Sequence, residues 1–259
     1  MSKLKYPFVF LFVLSMTYCC QRTHYGDNTE HGKVFKINDI DMYCEIYGKG
    51  EPLLLLHGNG ASISSYSLQI PVFSKHFQVI AVDSRGQGKT TDADTIITYE
   101  LMALDVAHLI DALGYQSVYI VGWSDGANTG LELAKAYPEK IKKMVMFAGN
   151  YRIDDHSVVT DWVYNELIKL RSNAINPTEW KLYDLCLNYP QLTEADLQNI
   201  MVPILVMAGD QDLILEEHTR EMQQLLPNSK LYIAKGRTHY MPWEKRREFN
   251  KVVLEYLLN

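Results

Sequence analysis

The chain has 259 residues, 47% of them hydrophobic and 22% charged, which suits one large domain with its own core and excludes a disordered or fibrous chain. A net charge of -6 leaves no lysine or arginine stripe to neutralise phosphates, so nucleic acid is excluded as a partner. The densest basic cluster, Lys245-Arg246-Arg247, falls in a late helical pattern and reads as a solvated face.

At the N-terminus, Lys3 and Lys5 precede an apolar run from Tyr6 to Tyr18 that ends at Cys19-Cys20. A basic start and so short a run predict an export signal over residues 1–20, since a membrane span needs roughly 20 apolar residues. The alternative is a buried first helix, which nothing downstream requires. The paired cysteines resemble the lipidated position of bacterial lipoproteins, although neither Tyr18 nor Cys19 is the usual small residue before the cysteine. The expected location is therefore outside the cytoplasm, either periplasmic or held to a membrane by an N-terminal lipid anchor. Beyond the signal only Cys44 and Cys186 remain, which predicts two free thiols and no disulfide framework.

Residues 21–32 are polar and predict a tether. Residues 34–37 and 42–47 then alternate with period two around Asn38-Asp39, as a hairpin does. Continuous apolar runs at 53–56, 77–82, 117–121, 143–147, 203–207 and 230–233 predict strands covered on both faces. Helical patterns at 64–75, 99–113, 127–137, 216–226 and 243–258 separate them. The alternation predicts an α/β fold over 33–259, with a mostly parallel eight-stranded sheet flanked by helices. One insertion, about 150–200, carries helical patterns at 158–171, 178–187 and 193–200. It predicts a short helical cap over one sheet edge, of the kind that shapes a substrate pocket.

The most informative motif joins the apolar run 117–121 to the helical pattern after it: Gly122-Trp123-Ser124-Asp125-Gly126. Strand, Gly-x-Ser-x-Gly turn and helix together describe a nucleophile elbow, in which a tight turn projects the serine hydroxyl from the sheet. The bland alternative is a glycine-flanked serine in a plain turn. A serine hydroxyl needs a base to take its proton and a carboxylate to orient that base. The seventh strand runs into Gly209-Asp210-Gln211-Asp212 and the eighth into Gly236-Arg237-Thr238-His239, putting carboxylates and an imidazole at the carboxyl edge where open α/β sheets carry their sites. The third strand ends in His57-Gly58-Asn59-Gly60, so the N–H groups of Asn59 and Asp125 are candidate oxyanion donors. His57 in such a turn reads as a structural hydrogen bonder.

From residue 34 onward the chain resembles the α/β-hydrolase superfamily. The pieces that carry the resemblance are His57-Gly58-Asn59-Gly60, Asp83-Ser84-Arg85-Gly86-Gln87-Gly88, the elbow, Gly209-Asp210-Gln211-Asp212 and His239. The resemblance implies a triad of Ser124, Asp212 and His239, with Asp212 taking the role in preference to Asp210. It also implies that the 83–88 loop is structural. Serine rather than aspartate at the elbow implies an acyl-enzyme. The elbow is further similar to that of valacyclovir hydrolase-like esterases, which implies that Asp125 meets an ammonium group on the substrate; an acid merely facing the helix dipole is the alternative.

Trp123 and Tyr240 are expected to line the pocket, with Trp243, Tyr151, Trp162, Trp180 and Tyr183 near its mouth. No Cys/His cluster has metal spacing and no Gly-x-Gly-x-x-Gly follows a strand, so no metal or organic cofactor is implied. The expectation is a serine hydrolase acting on a small-molecule acyl substrate, a carboxylic ester first. An amidase, thioesterase, lactonase or carbon–carbon bond hydrolase would use the same triad, and a hydrolase-fold binding protein is the non-enzymatic alternative. The oligomeric state is left open by the sequence.

Overall fold

The computed structural model describes residues 24–93, 95–154 and 160–259, with the side chains of 160–162 left aside. The expected export signal and lipid anchor lie outside the described residues. Eight strands form one sheet in the order β1-β2-β4-β3-β5-β6-β7-β8: β1 Gly32–Ile37, β2 Ile40–Tyr47, β3 Pro52–Leu56, β4 Gln78–Val82, β5 Val118–Trp123, β6 Ile141–Phe147, β7 Ile204–Gln211 and β8 Ser229–Thr238. β1 and β2 are antiparallel to their neighbours and the rest run parallel.

The continuous apolar runs divide between two cores because strand side chains alternate faces. Leu54 and Leu56 of β3 join one core with Ile80, Val82, Ile120, Met144 and Met146. Leu53 and Leu55 join the other with Val79, Ala81, Val121, Val145 and Phe147. Helices α2 (Tyr99–Ala112) and α3 (Asp125–Ala136) seal the first core, through residues such as Leu109 and Leu131. The 3-10 turn Ile63–Tyr66 and the one-turn helix α1 (Ile70–Phe73) seal the second. Each fully buried large aliphatic side chain contributes about 1.5–3 kcal/mol.

The single helix expected over 64–75 is instead these two short pieces. Pro71 lacks the N–H that a continuous helix would need, and the backbone from Ser62 to Gln69 closes tighter i to i+3 bonds instead. Within the stretch expected as a polar tether, residues 24–31 make specific contacts with β2. The amides of Gly26 and Asn28 donate to the buried Glu45 carboxylate at 2.9 and 2.8 Å, Tyr25 packs edge-on against Tyr47 and His31 stacks on the same ring. Residues 24–31 are therefore docked on β2, because a buried carboxylate must find donors.

The 83–88 loop holds the fold together from inside. Asp83 accepts from the amides of Ile63 and Lys89, and the fully buried Arg85 guanidinium pairs with Asp105 of α2 through Nε and Nη2 at 2.7 and 2.8 Å.

The insertion contains α4 (Thr160–Ser172), α5 (Pro177–Asn188) and α6 (Glu194–Gln198). Asn176 caps α5 by accepting from the Glu179 amide, with Pro177 following it. α5 is fastened to the body: Thr178 Oγ1 and Lys181 Nζ both donate to Asp92, at 2.8 and 2.9 Å. α4 is joined to α5 by an Arg171–Asp184 ion pair at 2.6 Å. After β7 come α7 (Glu216–Leu225), then β8, α8 (Met241–Glu244) and α9 (Arg246–Leu258). The single helix expected over 243–258 is thus interrupted at Lys245, where φ -134° and ψ 47° leave the helical region.

Candidate active site

The elbow sits between the central strand β5 and α3. Ser124 has φ 54° and ψ -119°, a left-handed conformation that costs a non-glycine residue about 1–3 kcal/mol. The surroundings over-determine it. The Ser124 amide donates to Phe147 O on β6 at 2.9 Å, and its carbonyl accepts from the amides of Ala127 and Asn128. A Cβ on Gly122 would lie 2.4 Å from Gly126 O, and one on Gly126 would lie 2.0 Å from Leu56 O. Both approaches are closed to any other residue.

β7 and β8 extend beyond their apolar runs, and their register supplies the next pair. Gln211 pairs with Thr238, so Asp212 and His239, each one residue on, come side by side. His239 Nδ1 donates to Asp212 Oδ1 at 2.7 Å, with both side chains buried. The same carboxylate accepts from the Ile214 amide at 3.1 Å. Asp210 instead accepts from the amides of Gly236 and Arg237 at the surface, away from the imidazole. Spending the Nδ1 hydrogen on Asp212 leaves Nε2 with a lone pair, the form a general base requires.

Ser124 and His239 share the wall of one cavity of about 390 Å³ with Asn59, Trp123, Tyr240, Leu213 and four α4 residues, Val163, Glu166, Leu167 and Leu170. Trp123 is fixed by an Nε1 bond to His239 O at 3.1 Å and by an edge-on contact with Trp243, and Tyr240 is half exposed at the rim. Ser124 Oγ makes no hydrogen bond among the described residues; such a bond commonly tightens only with substrate in place. Asp125 opens α3, so its amide has no acceptor within the helix and faces the same end of the sheet as the turn bearing Asn59.

Two residues behave unlike catalytic groups. His57 is buried, its Nδ1 donating to Gly58 O and its Nε2 accepting from the Ser84 amide, and burial lowers its pKa to about 4. It is a neutral brace between two loops. The Asp125 carboxylate is only 3% exposed and does not line the cavity. Tyr99 OH and Asn59 Nδ2 donate to its two oxygens at 2.8 Å each, and burial pushes its pKa up. Both oxygens thus accept a donor inside the protein in this structure, and the carboxylate is set back from the cavity that Ser124 and His239 share.

Of the other aromatic residues, Tyr151 is buried against His218, Trp180 packs under Arg171, and Tyr183 lines a separate cavity beside α5. The Trp162 side chain lies outside the described residues. The α4 lining went unassigned in the sequence, although Val163, Leu167 and Leu170 at spacings of four and three mark one helix face. Among the described residues no group of three His, Cys, Asp or Glu could hold a metal ion, and no helix is long and apolar enough to cross a membrane.

The family profile of the alpha/beta hydrolase fold matches residues 51–171. The serine hydrolase BPHL of Mus musculus is 27% identical over 85% of this chain and 84% of its own length. The 2-hydroxy-6-oxo-6-phenylhexa-2,4-dienoate hydrolase of Comamonas testosteroni is 25% identical over 90% and 97%. In fold, the enol-lactonase of Burkholderia xenovorans superposes with a TM-score of 0.74 at 21% identity, covering 88% of this chain and all of that one. The sheet order, the family match over residues 51–171 and these relatives together show the α/β-hydrolase fold, and the relatives that share it are hydrolases.

Proposed function

We propose that the protein is a serine hydrolase that cleaves a carboxylic ester of a small molecule through an acyl-enzyme. The observation that carries this reading is the 2.7 Å His239–Asp212 bond beside a strained Ser124 on the same cavity wall. Ser124 Oγ attacks the acyl carbonyl while His239 Nε2 takes its proton; Asp212 stabilises the imidazolium. The amides of Asn59 and Asp125 receive the oxyanion, each worth about 3 kcal/mol in the transition state. His239 then protonates the departing alkoxide, and a water activated by the same imidazole releases the acid. Esters are the first choice because their leaving groups ask least of the acid.

A fluorophosphonate tests the assignment, since serine attack at phosphorus expels fluoride and leaves a stable adduct. One adduct is expected, mapped to Ser124 by peptide mass. A protein that turns over p-nitrophenyl esters yet carries no label there would overturn the triad.

The basic start and apolar run before Cys19-Cys20 support placing this hydrolase outside the cytoplasm. If it is lipid-anchored, protein recovered from the membrane fraction carries a diacylglyceryl mass on Cys19 or Cys20; unmodified full-length protein in the cytosol would refute export.

A further inference from the structure

The Asp125 carboxylate receives donors from three separate elements. Asn59 Nδ2, on the turn after β3, donates to Oδ2 at 2.8 Å; Tyr99 OH, on α2, donates to Oδ1 at 2.8 Å; Cys186 Sγ, on cap helix α5, approaches Oδ1 at 3.9 Å. Asn59 Nδ2 also donates to Leu182 O on α5, at 3.0 Å. Asn59 is therefore held between the elbow acid and the cap, and its own backbone N–H is a candidate oxyanion donor. These partners are neutral donors rather than cations. Burial penalises the charge and raises the carboxyl's pKa, so converging donors are what keep an acid tolerable there.

Resting on the serine-hydrolase reading, we propose that Asp125 is a positioning residue: its carboxylate fixes the Asn59 turn and helix α5 relative to Ser124 and does not touch substrate. Bonds to an ionised acceptor are shorter and roughly twice as strong as neutral ones, so a carboxylate suits a fixed hub. The Asn59 side chain spends its amide hydrogens on Asp125 and on α5, which leaves that turn one orientation. A misplacement of about 1 Å at such a donor costs roughly 100-fold in rate.

Asp125→Asn keeps the size but gives up an acceptor oxygen, turning an amide donor toward Tyr99 or Asn59. It is expected to lower kcat about 10- to 100-fold with KM nearly unchanged, equally for an α-amino acyl ester and its uncharged isostere. Asn59→Ala, which keeps the backbone N–H and loses the tie, should give the same split, and the double variant should be no worse than the poorer single. Tyr99→Phe retains the carboxylate and should show a smaller loss of the same kind. It carries the test if Asp125→Asn does not fold.

A loss confined to KM for the ammonium-bearing ester would overturn the proposal in favour of direct recognition. Additive effects in the double variant, or unchanged kcat in every variant, would also overturn it. Failure of the serine reading is distinguishable, because the wild-type protein would then take no fluorophosphonate at Ser124.

Discussion

Ser124→Ala is expected to lower kcat by about a million-fold while leaving the protein folded, as loss of the nucleophile does in a triad whose members act as a unit. The residual rate would come from substrate binding and the oxyanion donors alone. The fold should survive because Ser124 Oγ makes no hydrogen bond among the described residues, and the turn is held by backbone contacts that alanine keeps, including the Ser124 amide to Phe147 O at 2.9 Å. Ser124→Gly should be as inactive and more stable, because glycine adopts φ 54° without strain. Turnover of a p-nitrophenyl ester and chemical denaturation of the variants check both statements. Activity above one part in a hundred in the purified alanine variant would contradict the assignment of Ser124.

Gly126→Ala is expected to cost roughly 3–5 kcal/mol of stability, or to prevent folding, because its methyl would stand 2.0 Å from Leu56 O and 2.8 Å from Leu56 Cβ. Leu56 cannot retreat. It is buried, paired between β4 and β5, and its carbonyl accepts the buried Tyr66 hydroxyl at 2.8 Å. Gly114→Ala separates collision from conformational preference: it has φ 79° but nothing within 4 Å of the added carbon, so about 1–2 kcal/mol is expected. Equilibrium denaturation compares the two. Equal losses would mean that the packing of α3 on β3 is looser than these distances imply.

The sheet was legible because each interior strand is apolar on both faces, and runs such as Leu53 to Leu56 have few other interpretations. Strand ends were less so. β7 and β8 continue through Gly209-Asp210-Gln211 and Gly236-Arg237-Thr238, polar stretches that look like loop but still pair, and that pairing sets His239 beside Asp212. Helix continuity failed at Pro71, which lacks a backbone donor, and at Lys245, whose backbone leaves the helical region. The chemical types of Ser124, His239 and Asn59 were readable from motif and order. The surroundings of Asp125 were not, since they depend on Tyr99 and Cys186, 26 and 61 residues away in sequence, meeting at one point. Burial of a charged group is a property of the assembled fold, and no local pattern announces it.

Among the described residues, the two long helices of the cap are fastened to different degrees. α5 is tied to the body at Asp92, Asn59 and Asp125, whereas α4 supplies four cavity residues and is linked sideways to α5. On the proposed function, selectivity and catalytic competence thereby rest on separate helices. Drift along the α4 face could recruit a new substrate while the turnover apparatus stays intact, so a lineage of such enzymes can diversify in diet without first losing speed.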